Sequence, residues 1–160
     1  MTTIQELKTF KLFRGLDDGE LNRIAPLCQE RSMKKGVFCF QQGAPASELH
    51  LCRSGKVDIV VKHFEAPTIY VKIHTASKGE AFGWSALVEP YQYTASAICM
   101  EDTAEIYLRR AELFKLFDQF PHTGYVFVKN LTVLVGFRLS EFEKKLSKDV
   151  AMEMRNDYEW

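Results

Sequence analysis

Four glycine turns, Lys35-Gly36, Gln42-Gly43, Ser54-Gly55 and Lys78-Gly79, cut the middle of the chain into short runs rich in valine, isoleucine, tyrosine and phenylalanine. The runs cover 37–41, 49–53, 56–62, 68–74, 94–100 and 104–108. Each has the ordinary length of a strand, about five to seven residues, and glycine supplies the backbone freedom that tight turns need. No helical pattern separates the runs, as a parallel sheet would require. The spacing therefore predicts an antiparallel sandwich or barrel over 30–108.

Both flanks read as helical. Over 3–29, Ile4, Leu7 and Phe10 recur at helical spacing until Gly15 breaks the run. Asp17, with Glu20 three residues on, forms a capping-box signature ahead of Leu21, Ile24 and Leu27, and Pro26 marks the end of that helix. A second helical region is expected over 110–155, where Pro121 opens a new element after Leu113, Phe114, Leu116 and Phe117. No proline interrupts the stretch from Gly124 to Met154. Along it Val128, Leu131, Val135, Arg138 and Phe142 step by three and four, a heptad-like seam with an arginine in one core position. Thirty residues of helix reach ~45 Å, longer than a domain of this size needs to cover its own core. The seam predicts a homodimer through Val128, Leu131, Val135 and Phe142. Residues 1–160 read as one domain, mainly β with flanking α.

Composition narrows the function. Lys plus Arg is 21 and Asp plus Glu is 21, and that zero balance lacks the basic surplus that grips nucleic acid. No room is seen after the long helix for a helix-turn-helix, so no DNA-binding domain is expected. No run of about 18 apolar residues suggests a membrane span, and the first residues lack the shape of a signal peptide; a cytoplasmic location is expected. Cys28, Cys39, Cys52 and Cys99 include no CxxC pair and read as small buried hydrophobes. His50, His63, His74 and His122 include no His-x-His pair, so no metal site is expected. No catalytic set is legible, and the chain is not expected to be an enzyme.

The segment richest in chemistry runs from Gly79 to Ala97. It reads as a glycine-hinged strand end, one or two helical turns of small residues and a loop entering a new strand. Free backbone N–H groups at such a turn suit an anionic group, Gly83 permits close approach, and Ser85 adds a hydroxyl. The order of Lys35-Gly36-Val37-Phe38, Gln42-Gly43, Leu49-His50-Leu51, Ser54-Gly55-Lys56-Val57 and Gly79-Glu80-Ala81-Phe82-Gly83 resembles the cyclic nucleotide-binding domain. That family is the sensory module of catabolite activator proteins and protein kinase regulatory subunits, and the resemblance runs from about Leu12 to Leu139. It implies a double-stranded β-helix (jelly roll) with N-terminal helices and a long C-terminal helix. It also implies that Gly79 to Ala97 is the phosphate-binding cassette, with Phe82, Gly83, Trp84, Ser85, Ala86, Tyr93 and Thr94 around the ligand and Arg138 beside it.

Two residues depart from the family pattern. Trp84 stands where the family has a Glu for the ribose 2′-hydroxyl, and Tyr93 where it has an Arg for the cyclic phosphate. A guanidinium–phosphate contact is worth about 1.5–3 kcal/mol, so ordinary cAMP or cGMP binding is not expected. Trp84 and Tyr93 either build an aromatic pocket for a changed ligand or fill the cavity. Arg138 either supplies the missing cation, or snorkels to solvent or pairs with a glutamate across the dimer. The expectation is a stand-alone sensor for a small cyclic-nucleotide-like, anionic or aromatic effector, signalling through a partner protein. Its alternatives are a ligand-free interaction module and a regulator acting on transcription through a partner.

Overall fold

The computed structural model describes residues 1–64, 66 and 68–157, with side chains to residue 149; the polar end at 158–160 lies outside the described residues. Among the described residues eight strands form two four-stranded sheets: β1 (Gln29–Met33), β2 (Phe38–Phe40), β3 (Glu48–Ser54), β4 (Lys56–Lys62), β5 (Tyr70–Ser77), β6 (Ala81–Phe82), β7 (Ser96–Cys99) and β8 (Thr103–Arg109). Their orders are β1-β8-β3-β6 and β2-β7-β4-β5, with every pairing antiparallel. The expected jelly roll is present.

Strand β3 shows why the run around Leu49 does not alternate. Leu49 and Leu51 point into a core shared with the helices, where Ile106, Leu108, Phe13 and Phe127 join them. Cys52 points the other way, into the sandwich with Val57, Phe82 and Cys99. A strand buried on both faces has no reason to place polar residues at every second position. Cys52 and Cys99 are buried as expected of small hydrophobes while Cys28 and Cys39 are half-buried, and burial pushes the Cys28 and Cys52 thiols up to about 12.

Two strands were not legible. Gln29 belongs to β1 rather than to a helix, and β1 is an edge strand whose charged residues are all paired: Glu30 with Arg53, Arg31 with Glu48. Strand β6 has two residues only. The first helix, α1, is also short, Ile4–Leu7, and is followed by a single 3-10 turn at Lys11–Phe13.

Helix α2 (Asp18–Ile24) starts where its capping box says: the Asp17 carboxylate accepts from the Glu20 N–H at 2.8 Å, and Glu20 accepts from the Asp17 N–H at 3.0 Å. The second Glu20 oxygen accepts from Thr123, which ties α2 to the start of the last helix. Helix α3 (Arg110–Gln119) leads into α4 (Pro121–Asp157), 37 residues long. Gly124 lets the two helices meet, since a Cβ there would lie 2.8 Å from the Phe117 side chain. Phe127 is fully buried, and Asn130 donates to the carbonyls of Leu12 and Arg14, so the first half of α4 is clamped to its own domain.

That clamp corrects the expected seam. Leu131 is 6% exposed and packs in the protein's own core, and Arg138 faces the same side. The outward stripe keeps Val128, Val135 and Phe142 but takes Thr132 and Leu139 in place of Leu131 and Arg138, each one residue or 100° further round the helix. It runs through Tyr125, Val128, Thr132, Val135, Leu139, Phe142 and Leu146, again spaced by three and four, with Val135 half-buried against the protein's own core. Leu139 and Leu146 are more than half exposed, and Val128 and Phe142 nearly so. Among the described residues no helix is long and apolar enough to cross a membrane.

Candidate functional site

Strand β6 ends at Phe82, and the chain turns through Gly83 at φ +73 into a 3-10 turn, Trp84–Leu87. Only glycine suits that point. The φ is left-handed, and a Cβ would lie 2.8 Å from the His50 ring and 3.0 Å from Phe40. The turn, the loop to β7, strand β5 and α4 together enclose a cavity of about 280 Å³.

Most of the expected residues meet there. Phe82, Gly83, Trp84, Ser85, Tyr93, Thr94 and Arg138 line the cavity, as do Val135 and Phe142 from the expected seam. Ala86 does not: it is fully buried beneath with Ala46 and Tyr93, and its N–H donates to the Gly83 carbonyl at 3.2 Å. That bond takes up part of the backbone donor set expected to face an anion. Thr94, expected in a strand, sits in the bend before β7. Phe40, Ile59 and Ile73, which the sequence does not mark as site residues, also line the cavity, as does His74, weighed only as a metal ligand. They come from strands distant in sequence, and no spacing reveals which strand faces share a cavity.

Tyr93 is 6% exposed and stacks flat on Phe40, with ring centres 3.8 Å apart. Its hydroxyl donates to the Glu48 carbonyl at 2.8 Å, and burial pushes its pKa up to about 12. The phenol therefore stays neutral and offers no charge.

Arg138 is not a free cation. Its Nη2 donates to Glu80 Oε1 at 2.6 Å and its Nη1 to His74 Nδ1 at 2.9 Å. The other Glu80 oxygen accepts from both the N–H and the hydroxyl of Ser77. Burial works to raise the Glu80 pKa, but Ser77 and the Arg138 guanidinium outweigh it and hold the carboxyl below its ordinary value. The cluster thus clips α4 to the start of the cassette segment through a neutralised pair.

Burial first, and the Arg138 charge second, hold His74 below the usual imidazole range against the pull of Glu80. The sign of the linkage follows. A folded-state pKa below the unfolded value of ~6.5 means the unfolded chain takes up the proton first. Stability is therefore complete above ~6.5 and declines as pH falls from there toward the lower folded value. Melting temperatures recorded from about pH 7.5 to pH 5 should fall in this window, and His74→Gln should flatten the decline. An unchanged slope in that variant would assign the loss to other groups.

Among the described residues no group of three or more His, Cys, Asp or Glu is placed to hold a metal ion. Residues 30–120 match the cyclic nucleotide-binding domain. The chain is 29% identical over 150 residues to the cyclic AMP receptor protein of Thermus thermophilus, covering 94% of this chain and 67% of that one. A putative cyclic nucleotide-binding protein from Geobacter metallireducens superposes with a TM-score of 0.76 at 26% identity, covering 87% of this chain and 99% of that one. The catabolite activator protein of Thermus thermophilus does so with a TM-score of 0.75 at 29% identity, covering 91% of this chain and 66% of that one. With more than half its length matched, this chain belongs to the cyclic nucleotide-binding domain family.

Proposed function

We propose that this chain is a regulatory module that senses a small, flat, uncharged effector in the cavity between the cassette and α4. The observation that carries the reading is the state of Arg138, the one strong cation among the described lining residues, which is already engaged by Glu80 and His74. With Trp84 and Tyr93 at the positions where the family carries its ribose and phosphate partners, an incoming phosphate meets no unpaired positive charge. Glu141, also on the lining, adds a negative one. The walls instead offer aromatic rings from Phe40, Phe82, Trp84, Tyr93 and Phe142. Trp84 and Tyr93 leave about 280 Å³ open, which favours a ligand over a filled, ligand-free module.

The module acts as a homodimer through the outward stripe of α4 and passes its signal to a partner protein. Two features support this. The stripe is apolar and unpartnered over Val128, Leu139, Phe142 and Leu146, and a groove of about 420 Å³ lined by Leu87, Phe117, Val128 and Gly136 runs beside it. Val135, Leu139 and Phe142 belong both to the stripe and to the cavity wall. Effector occupancy and helix pairing therefore draw on the same side chains, and each must alter the other's free energy.

The test is a thermal-shift comparison of 2-naphthol, 2-naphthoate and cyclic AMP with the native chain. A ligand at ten times its dissociation constant stabilises by about 1.4 kcal/mol, or roughly 3–6 °C for a chain of this length. The uncharged ring is expected to bind at least about tenfold more tightly than its carboxylate, which would have to displace or share a paired guanidinium. A larger shift with cyclic AMP or 2-naphthoate than with 2-naphthol would overturn the reading.

A further inference from the structure

Behind the cavity wall, sealed inside the sandwich, lies a chain of polar groups that effector sensing as described leaves unused. His50 of β3 and Glu105 of β8 are 1% and 0% exposed. Their side chains meet at 3.1 Å between Nδ1 and Oε2, and His50 Nε2 lies 3.2 Å from the Tyr93 hydroxyl oxygen. Phe40 and Phe82 flank the imidazole, each with its ring centre 5.1 Å away.

The protons can be counted. A phenol carries one hydrogen, and a carbonyl oxygen only accepts, so the Tyr93 hydrogen lies on the bond to Glu48. The contact from His50 is then a hydrogen bond only if Nε2 bears a hydrogen. With Nε2 as that donor, Nδ1 faces a carboxylate oxygen, and two lone pairs would oppose each other unless a further hydrogen lies between them. It sits on Nδ1 or on Oε2, and in that arrangement the couple holds one proton beyond those of a neutral imidazole and an ionised carboxylate. The surroundings tolerate this. Arg31 of β1 stands 3.5 Å from Glu105 Oε1 and stacks on Tyr107, Glu48 of β3 neutralises Arg31 at 2.9 Å, and the thiols of Cys39, Cys52 and Cys99 complete the nearby titratable groups. Glu105 Oε1 has no hydrogen-bond partner, since Arg31 reaches it only as a 3.5 Å ion pair, and the His50 contact is the hydrogen bond made by this carboxyl.

We propose that His50 and Glu105 hold one proton in common and, through it, act as positioning residues that fix the Tyr93 ring as a wall of the effector cavity. The Tyr93 oxygen is engaged behind the wall by Glu48 and His50, so the ligand meets the ring and not the hydroxyl. The positioning half rests on the effector reading above; the proton count stands without it.

Nitrogen and carbon NMR of the full native chain at neutral pH reads the first half directly. The expected signature is a hydrogen on His50 Nε2, together with either a doubly protonated imidazole or a protonated Glu105 carboxyl. A neutral His50 bearing its hydrogen on Nδ1 beside an ionised Glu105 overturns the proposal, and this measurement needs no variant to fold. The second half is read with 2-naphthol. In Glu105→Gln the amide can donate to Nδ1 while a neutral imidazole keeps its Nε2 hydrogen, so affinity should stay within about twofold of native. His50→Phe removes the donor to Tyr93 and should weaken binding about fivefold, the worth of one neutral hydrogen bond. Equal losses in both variants would show that the ion pair and not the Nε2 hydrogen matters, and would sink the positioning role. If native protein binds no 2-naphthol, the effector reading and the positioning role fall together, while the NMR result still decides the proton.

Discussion

A chain carrying Trp84→Glu and Tyr93→Arg together is expected to bind cyclic AMP at least about a hundredfold more tightly than the native chain. Each substitution restores one charge-assisted hydrogen bond of the family pattern, worth about 1.5–3 kcal/mol. Two at the low end give about 3 kcal/mol, or roughly 150-fold. The glycine hinge they depend on is already in place, since Gly83 has the left-handed backbone and the close approach to His50 and Phe40 described above. Stability should move the other way. Without Tyr93 the buried His50 Nε2–H and the Glu48 carbonyl lose their partner, at about 1–3 kcal/mol, and the flat stack on Phe40 disappears, at about 0.5–1.5 kcal/mol. The unliganded double variant should therefore melt several degrees below native and be rescued by cyclic AMP. Calorimetric titration alongside melting curves separates the two effects. A stable double variant with no gain in affinity would mean that the cassette backbone does not reach a phosphate, and that ligand class is decided elsewhere than at these two positions.

What the sequence discloses depends on whether the cause of a feature is local. The capping box of Asp17 and Glu20 is contained in four residues, and α2 starts there. Strand β4 is bounded by Ser54-Gly55 and its own apolar content, and it spans Lys56–Lys62 as expected. Strand β1 escapes because Gln29-Glu30-Arg31-Ser32-Met33 has no apolar alternation; its stability comes from pairing with β8 and from ion pairs to residues elsewhere in the chain. The expected seam on α4 departs from the exposed stripe at Leu131 and Arg138 alone, because two apolar faces adjoin on one helix. Leu131 is the more hydrophobic choice over Thr132, and its hydrophobicity is used in the protein's own core. Trp84, Tyr93 and Arg138 were legible as a group through family resemblance. The Arg138 pairing to Glu80, 58 residues away, and the His50–Glu105 couple, 55 residues apart, depend on strand register and helix rotation that no spacing in the sequence records.

The corrected seam makes the second large prediction: Leu139→Asp should convert a dimer into a monomer at micromolar concentration. In a parallel pair of α4 helices, seam residues meet their own copies. The substitution then removes two leucines from the interface, about 1.5–3 kcal/mol each, and sets two carboxylates against each other in an apolar surface. The sum of about 3–6 kcal/mol raises the dissociation constant by at least about a hundredfold. Val128→Asp tests the same stripe where it does not line the cavity, and should act in the same direction. Val133, 69% exposed, lies some 160° around the helix from Val135, and Val133→Asp should leave the dimer intact. Light scattering on the three variants and the native chain reads all of this. A monomeric native chain would remove the dimer, and equal dissociation by the Leu139 and Val133 substitutions would place the contact on a different face. If the stripe does pair, Leu139 sits at the junction of cavity and interface, so native protein should dimerise with a different affinity once its effector is bound. The direction of that change gives the sense of the switch: a ligand that pushes Leu139 and Phe142 outward strengthens the pair, and one that draws them into the cavity weakens it.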